Sequence, residues 1–222
     1  EGPFWPLHRL NELRTPFIRD EICAHFGLSP DQEQPLENLR VLDIGCGGGI
    51  LAESMAALGA DVTGIDVVEK NIAIARLHGQ QSGIDVNYQL RTAESMAEDG
   101  SLFDVVLNME VVEHVADVEG FMQACGSLVR PDGMMFVATI NRTVLAMLVA
   151  IIGAEHILRW MPKGTHRWDW FRKPVEIERL LQAANLRIQR MTGVAVNPLS
   201  KTLFLTPLTR VNYMLSAVKG GQ

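Results

Sequence analysis

A short apolar run at residues 41–44 drives straight into Gly45-Cys46-Gly47-Gly48-Gly49, and a helical apolar pattern at 50–58 leaves it. That junction restricts the possible folds more than any other stretch. Glycine reaches backbone angles closed to other residues and lets a ligand approach the main chain. A helix starting there presents unpaired amides to that ligand. A second apolar strand, 61–65, ends on Asp66, where a carboxylate can take both hydroxyls of a ribose. Together these residues predict an adenosine-containing cofactor.

The turn also fits the loose dinucleotide fingerprint through Gly47-Gly48-Gly49-Ile50-Leu51-Ala52. Two features favour S-adenosyl-L-methionine, with S-adenosyl-L-homocysteine as product. Asp43 sits inside the strand end, where dinucleotide folds usually carry an apolar residue, and an acid there suits a positively charged amino-acid tail. The glycines are also spaced too tightly to need a pyrophosphate.

The 222 residues fit one domain with a full core. A net charge of −6 argues against a general nucleic-acid binder. Cys23, Cys46 and Cys125 are sparse and far apart, which suits a reducing compartment and no metal pattern. No signal peptide is visible, although the sequence opens at Glu1 without a starting Met. The expectation is a trimmed fragment, which leaves an original targeting segment open.

Strand and helix patterns alternate along the chain: an early helix at 17–26, strands at 40–44, 61–65, 86–90, 103–109 and 134–140, and helices at 50–58, 69–82 and 118–129. Arg130-Pro131-Asp132-Gly133 reads as a stop and turn. Another helix is expected at 174–184, led by Pro174. Two last strands near 187–196 and 211–218, with no helix between them, should pair antiparallel. The fold class is therefore α/β: a mostly parallel sheet with an antiparallel C-terminal hairpin and helices on both faces. Residues 1–222 form one domain, with a helical cap at 1–38 and an insert at about 143–173.

Met109-Glu110-Val111-Val112-Glu113-His114-Val115 follows the fourth strand. In a helical segment, Glu110, Glu113 and His114 would share one face. They could hold a hard divalent ion such as Mg²⁺. Alternatively, His114 could act as a general base, or the stretch could simply order the loop.

At this point the chain resembles the ubiquinone-biosynthesis O-methyltransferases. The resemblance rests on Pro6-Leu7-His8-Arg9-Leu10-Asn11 with Leu13-Arg14, on 41–53 and 109–115, and on Gly153-Ala154-Glu155. Pro162-Lys163-Gly164-Thr165-His166, Asn197-Pro198 and Val211-Asn212-Tyr213 extend it. The resemblance implies a Rossmann-like class I methyltransferase fold with a seven-stranded sheet, and methylation of ring hydroxyls on 2-polyprenyl-6-hydroxyphenol and 3-demethylubiquinol. It implies cofactor contacts at Arg14, Gly45, Asp66 and Met109: a carboxylate clamp, close backbone approach, a ribose acceptor and an adenine neighbour. It also links a divalent metal to Glu110, Glu113 and His114. An aromatic, acidic segment usual before the Gly-Pro-Phe region is missing, and Asp132 replaces a more usual glycine.

Residues 143–173 break the core alternation. Nine apolar residues at 144–152 are too few to span a bilayer. Arg159, Trp160, Lys163, Arg167 and Trp168 follow, in an otherwise acidic protein. One reading is a buried helix with a basic loop; the other is a segment resting on anionic membrane lipids beside a polyprenylated substrate. The second places the protein in the cytoplasm, peripheral on the inner membrane, in a bacterium, or on the matrix side of the mitochondrial inner membrane in a eukaryote. Two competing functions remain. One is a different methyltransferase, acting on nitrogen in nucleic acid or protein, or on another small-molecule phenol. The other is a silent cofactor- or lipid-binding scaffold among quinone-biosynthesis proteins.

Overall fold

The computed structural model describes residues 5–143, 171–196 and 202–221. The strand β1 (Arg40–Ile44) is buried along four of its five positions, and β4 (Phe103–Met109) along six of seven. Such runs need apolar cover on both faces, which a central parallel sheet flanked by helices provides. Among the described residues, six helices supply that cover: α1 (Trp5–Phe26), α2 (Ile50–Ala57), α3 (Glu69–Ser82), α4 (Ala93–Glu98), α5 (Val118–Leu128) and α6 (Pro174–Ala183). One core layer joins Ile18 and Ile22 of α1, Met55 of α2 and Ala75 of α3 to Val105, Leu107 and Phe136. The opposite layer joins Met96 of α4, Met122 of α5 and Leu181 of α6 to Leu42, Val106 and Leu215. Each fully buried aliphatic side chain there contributes about 1.5–3 kcal/mol.

The remaining strands are β2 (Asp61–Asp66), β3 (Asn87–Leu90), β5 (Val129–Ile140), β6 (Leu186–Val196), β7 (Leu203–Thr206) and β8 (Asn212–Lys219). The sheet order is β3-β2-β1-β4-β5-β8-β6-β7. Pairing is parallel from β3 to β5 and antiparallel from β5 outward. Strand order therefore reverses between β1 and β4, which opens a crevice at their carboxyl ends.

Four features differ from the sequence reading. The sheet has eight strands rather than seven, because β7 adds an edge to β6. Helix α1 begins well before residue 17, and Pro16 lies inside it. Helix α4 is new, and the Thr92 hydroxyl caps it by accepting from the Ser95 amide. Residues 130–133 do not form a stop and turn between helix and strand, since β5 already begins at Val129. They form an excursion within β5, whose pairing jumps from Phe103↔Val129 to Val105↔Met134. Asp132 adopts φ 58° there, a left-handed conformation that costs an aspartate less than most residues.

Candidate active site

The glycine turn closes β1 onto α2. Gly45 has φ 67°, and a Cβ on it would stand 2.6 Å from Cγ2 of Val111. Gly49 has φ 86°, and a Cβ there would collide with the Tyr88 hydroxyl. Both positions thus exclude any side chain, by backbone angle and by space. The turn is tied down by the Cys46 amide donating to the Ile65 carbonyl at 2.9 Å.

Asp66 sits buried at the end of β2. One carboxylate oxygen accepts from the Gly47 amide (3.0 Å) and from Nδ2 of Asn71 (3.2 Å). The other accepts from the Val68 amide (2.8 Å). A carboxylate offers about four acceptor positions. Three hold the turn and α3, which leaves room for a ligand hydroxyl.

Asp43 is fully enclosed, only 3% exposed. The Ala52 amide in the first turn of α2 donates to it, and the Arg14 guanidinium lies nearby. Burial raises its pKa to about 7, against the opposing pull of Arg14 and that amide. Its role in the structure is to lock the turn to α2. Arg14 is buried as well; Nε donates to Oδ1 of Asn11 at 3.1 Å. Burial lowers its pKa, while Asp43 and Glu110 hold it up. Asn11 in turn donates to the Ser54 hydroxyl on α2 at 2.7 Å.

Beside the turn lies a cleft of ≈ 460 Å³. Gly45, Asp66 and Val67, Thr92 to Glu94, and Glu110, Val111 and His114 all line it. The residues after β3 and the Val111 side chain escaped the sequence reading. The only signal for the first was a Thr-x-x-Ser capping pattern after a short strand.

The reacting stretch departs from the helical expectation. Glu110 takes φ 60°, and only Val112–His114 turn, as a 3₁₀ helix. Glu110, Glu113 and His114 therefore do not share one face. Glu113 is buried and accepts from the Thr139 hydroxyl at 2.8 Å, while His114 stands exposed at the cleft. The two carboxyl groups do meet. Burial, then the neighbouring charge and hydrogen bond of Glu110, hold the Glu113 pKa well above the usual carboxylate range. Among the described residues, no group of three or more His, Cys, Asp or Glu side chains is arranged to hold a metal. The Met109 side chain packs in the core layer with α1 and α2 and, like Arg14, Asp43 and Gly47, is not among the residues lining this cleft. Asn212, unnoticed as a site residue, donates from Nδ2 to Glu110 at 3.3 Å. Arg159, Trp160, Lys163, Arg167 and Trp168 lie outside the described residues.

A family model described as a methyltransferase domain matches residues 11–190. A ubiquinone biosynthesis O-methyltransferase from Sinorhizobium medicae is 56% identical over 216 residues, covering 97% of this chain and 87% of that protein. Another, from Rhizobium leguminosarum bv. trifolii, is 54% identical over 221 residues, covering 100% of this chain and 88% of that protein. Among solved structures, magnesium protoporphyrin IX methyltransferase from Synechocystis PCC 6803 with bound SAH superimposes with a TM-score of 0.68. The two are 20% identical, over 96% of this chain and 83% of that one. The [4+2]-cyclase SpnF gives a TM-score of 0.64 at 17% identity, over 92% of this chain and 81% of that one. At such identities the likeness shows the fold alone, and the cyclase shows that this fold carries more than one chemistry.

Proposed function

This chain belongs to the ubiquinone biosynthesis O-methyltransferases, and we propose that its acceptors are ring hydroxyls of 2-polyprenyl-6-hydroxyphenol and 3-demethylubiquinol. It is an S-adenosylmethionine-dependent O-methyltransferase. The observation that carries the acceptor reading is one cleft lined by Asp66 and by Glu110 and His114. A shared cavity lets a nucleoside and a protic acceptor bind side by side.

The residues fit the cofactor. The turn denies a side chain at Gly45 and Gly49, Asp66 keeps an open acceptor position, and the buried Arg14 supplies a cation for a carboxylate. When bound, S-adenosylmethionine supplies a sulfonium methyl group: an oxygen–carbon bond forms as the carbon–sulfur bond breaks, and sulfur keeps the electron pair as a thioether. The phenol, with an ordinary pKa of about 10, gives up its proton in that step. His114 at the cleft is positioned to take it, since an imidazole exchanges protons near neutral pH. Glu110 orients the hydroxyl, and Asn212 and Glu113 hold Glu110. The remaining acceleration comes from alignment of oxygen, carbon and sulfur. No step is routed through a divalent ion, because the described residues do not gather a three-ligand set.

The test is transfer of a labelled methyl group to a short-chain demethylated ubiquinol, with and without chelator. Turnover is expected in both arms; its absence in both overturns the reading in favour of a silent binding protein. Glu110→Ala should lower turnover at least a hundredfold while calorimetry shows product-cofactor affinity changed by less than threefold. Equal losses in both would contradict a role for Glu110 in the transfer.

The membrane reading is also proposed. The polyprenyl tail of these acceptors resides in the bilayer, and the basic, Trp-rich stretch at 159–168 carries what an anionic lipid surface attracts. No helix among the described residues is long and apolar enough to cross a membrane.

A further inference from the structure

β8 runs against the parallel strands, so its first residue, not its last, reaches the edge where β1, β4 and β5 end. That residue is Asn212, paired with Ile140 at the end of β5. Its Nδ2 donates to Oε1 of Glu110 at 3.3 Å. Its Oδ1 is buried and has no hydrogen-bond partner among the described residues. One residue past β5, Asn141 repeats the pattern. It is 7% exposed; its amide donates to the Val211 carbonyl at 2.8 Å, and its Nδ2 donates to the Thr209 carbonyl at 2.6 Å. Its Oδ1 is also without a partner among the described residues.

The donor of each amide is spent on a known acceptor, which fixes which side-chain atom is left over. Both leftover atoms are carbonyl oxygens, and buried acceptors without partners are costly. Neither oxygen completes the core: Asn141 instead pins the 209–211 segment that feeds β8, and Asn212 reaches the cleft through Glu110. A ligand that satisfies such an oxygen must bring a donor. The acceptor ring of the proposed reaction brings one, because the hydroxyl that is methylated has an oxygen substituent beside it.

We propose that Asn212 is the residue that recognises the acceptor ring. Its Oδ1 accepts a hydrogen bond from the hydroxyl next to the one that is methylated, while its Nδ2 holds Glu110 against the reacting oxygen. Asn141 sets the strand entry that places it. Two adjacent hydroxyls are then the feature selected, and a ring with one hydroxyl leaves Oδ1 unpartnered. A site built to bond a hydroxyl discriminates strongly against the analogue lacking it.

The inference rests on the phenol-methylating reading, and the experiment separates the two. The full chain is assayed on a short-chain catechol and on the matching monophenol, with labelled S-adenosylmethionine. Wild type should favour the catechol by at least a hundredfold in kcat/KM. Asn212→Ala should reduce that ratio at least tenfold. Asn212→Asp keeps an acceptor oxygen but cannot donate to Glu110, so it should lower kcat on both probes while the ratio survives. S-adenosylhomocysteine affinity, read by calorimetry, should stay within threefold in both variants. If Asn212→Ala binds that product normally and keeps the full ratio, the inference is overturned while the reaction stands. Loss of the ratio in a folded Asn212→Asp overturns it too. Absence of transfer by wild type to either probe overturns both.

Discussion

Asp43 is the residue on which folding and cofactor binding meet. Its carboxyl lies in the core beside Arg14 and under the first turn of α2, and burial lifts its pKa from 3.8 to about 7. An aspartate raised in the folded state binds its proton more tightly there than in the unfolded chain. Its contribution to stability is therefore fully present below about pH 4 and is lost as pH rises through about 7. Each pH unit inside that window removes up to about 1.4 kcal/mol. Asp43→Asn has nothing to titrate. Urea unfolding of the ligand-free protein from pH 4.5 to 8 should show wild type losing stability relative to this variant as pH rises. Two parallel curves would contradict the assignment, because titrating groups that do not interact with Asp43 cancel in the difference.

At the scale of elements, the latch between α1 and α2 is the assembly most easily tested. Asn11 bridges the helices by donating to Ser54 and accepting from Arg14. Asn11→Ala leaves a buried guanidinium without that acceptor, which costs on the order of 1–3 kcal/mol. Thermal unfolding should register that loss, and calorimetry should show S-adenosylhomocysteine binding weakened about tenfold as Arg14 loses its anchor. Ser54→Ala removes only the bridge and should cost less. Unchanged product affinity in Asn11→Ala would separate α1 from the cofactor site.

The same scale shows what the sequence made legible. β1, β4 and the glycine turn were readable because continuous apolar runs and clustered glycines each have one structural use. Asp66 was readable from its place at a strand end. The first turns of α1 were missed: the helix runs from Trp5, through Pro16, to Phe26, whereas the apolar pattern reads as helical only from residue 17. Leu203 to Thr206 was missed because four residues carry no period, and their pairing with β6 is purely tertiary. Glu110, Glu113 and His114 shared a face only under an assumed helix, and the left-handed Glu110 backbone removes it. Asn212 was visible as part of a motif but silent as to role, since only the antiparallel return of β8 brings it to Glu110.

For the whole molecule, sheet polarity decides where the insert leaves and rejoins the body. The Arg172 amide donates to the Ile140 carbonyl at 3.1 Å, so the chain departs from β5 and returns to α6 at one point. That point lies at the edge where Asn212 and Glu110 stand. Arg159, Lys163 and Arg167 fall in the sequence between them, in a protein of net charge −6; on the proposed membrane reading, their attraction to an anionic bilayer would work against repulsion from the rest of the surface. Each basic residue near such a surface contributes about 1 kcal/mol. Reversing all three to glutamate should therefore reduce sedimentation with anionic vesicles more than hundredfold, with little change in turnover of a short-chain, water-soluble acceptor. Wild-type binding should also fall between 0.05 and 0.5 M salt as the charges are screened. A triple variant that still sediments like wild type would mean that the long-tailed acceptor is reached by another part of the surface.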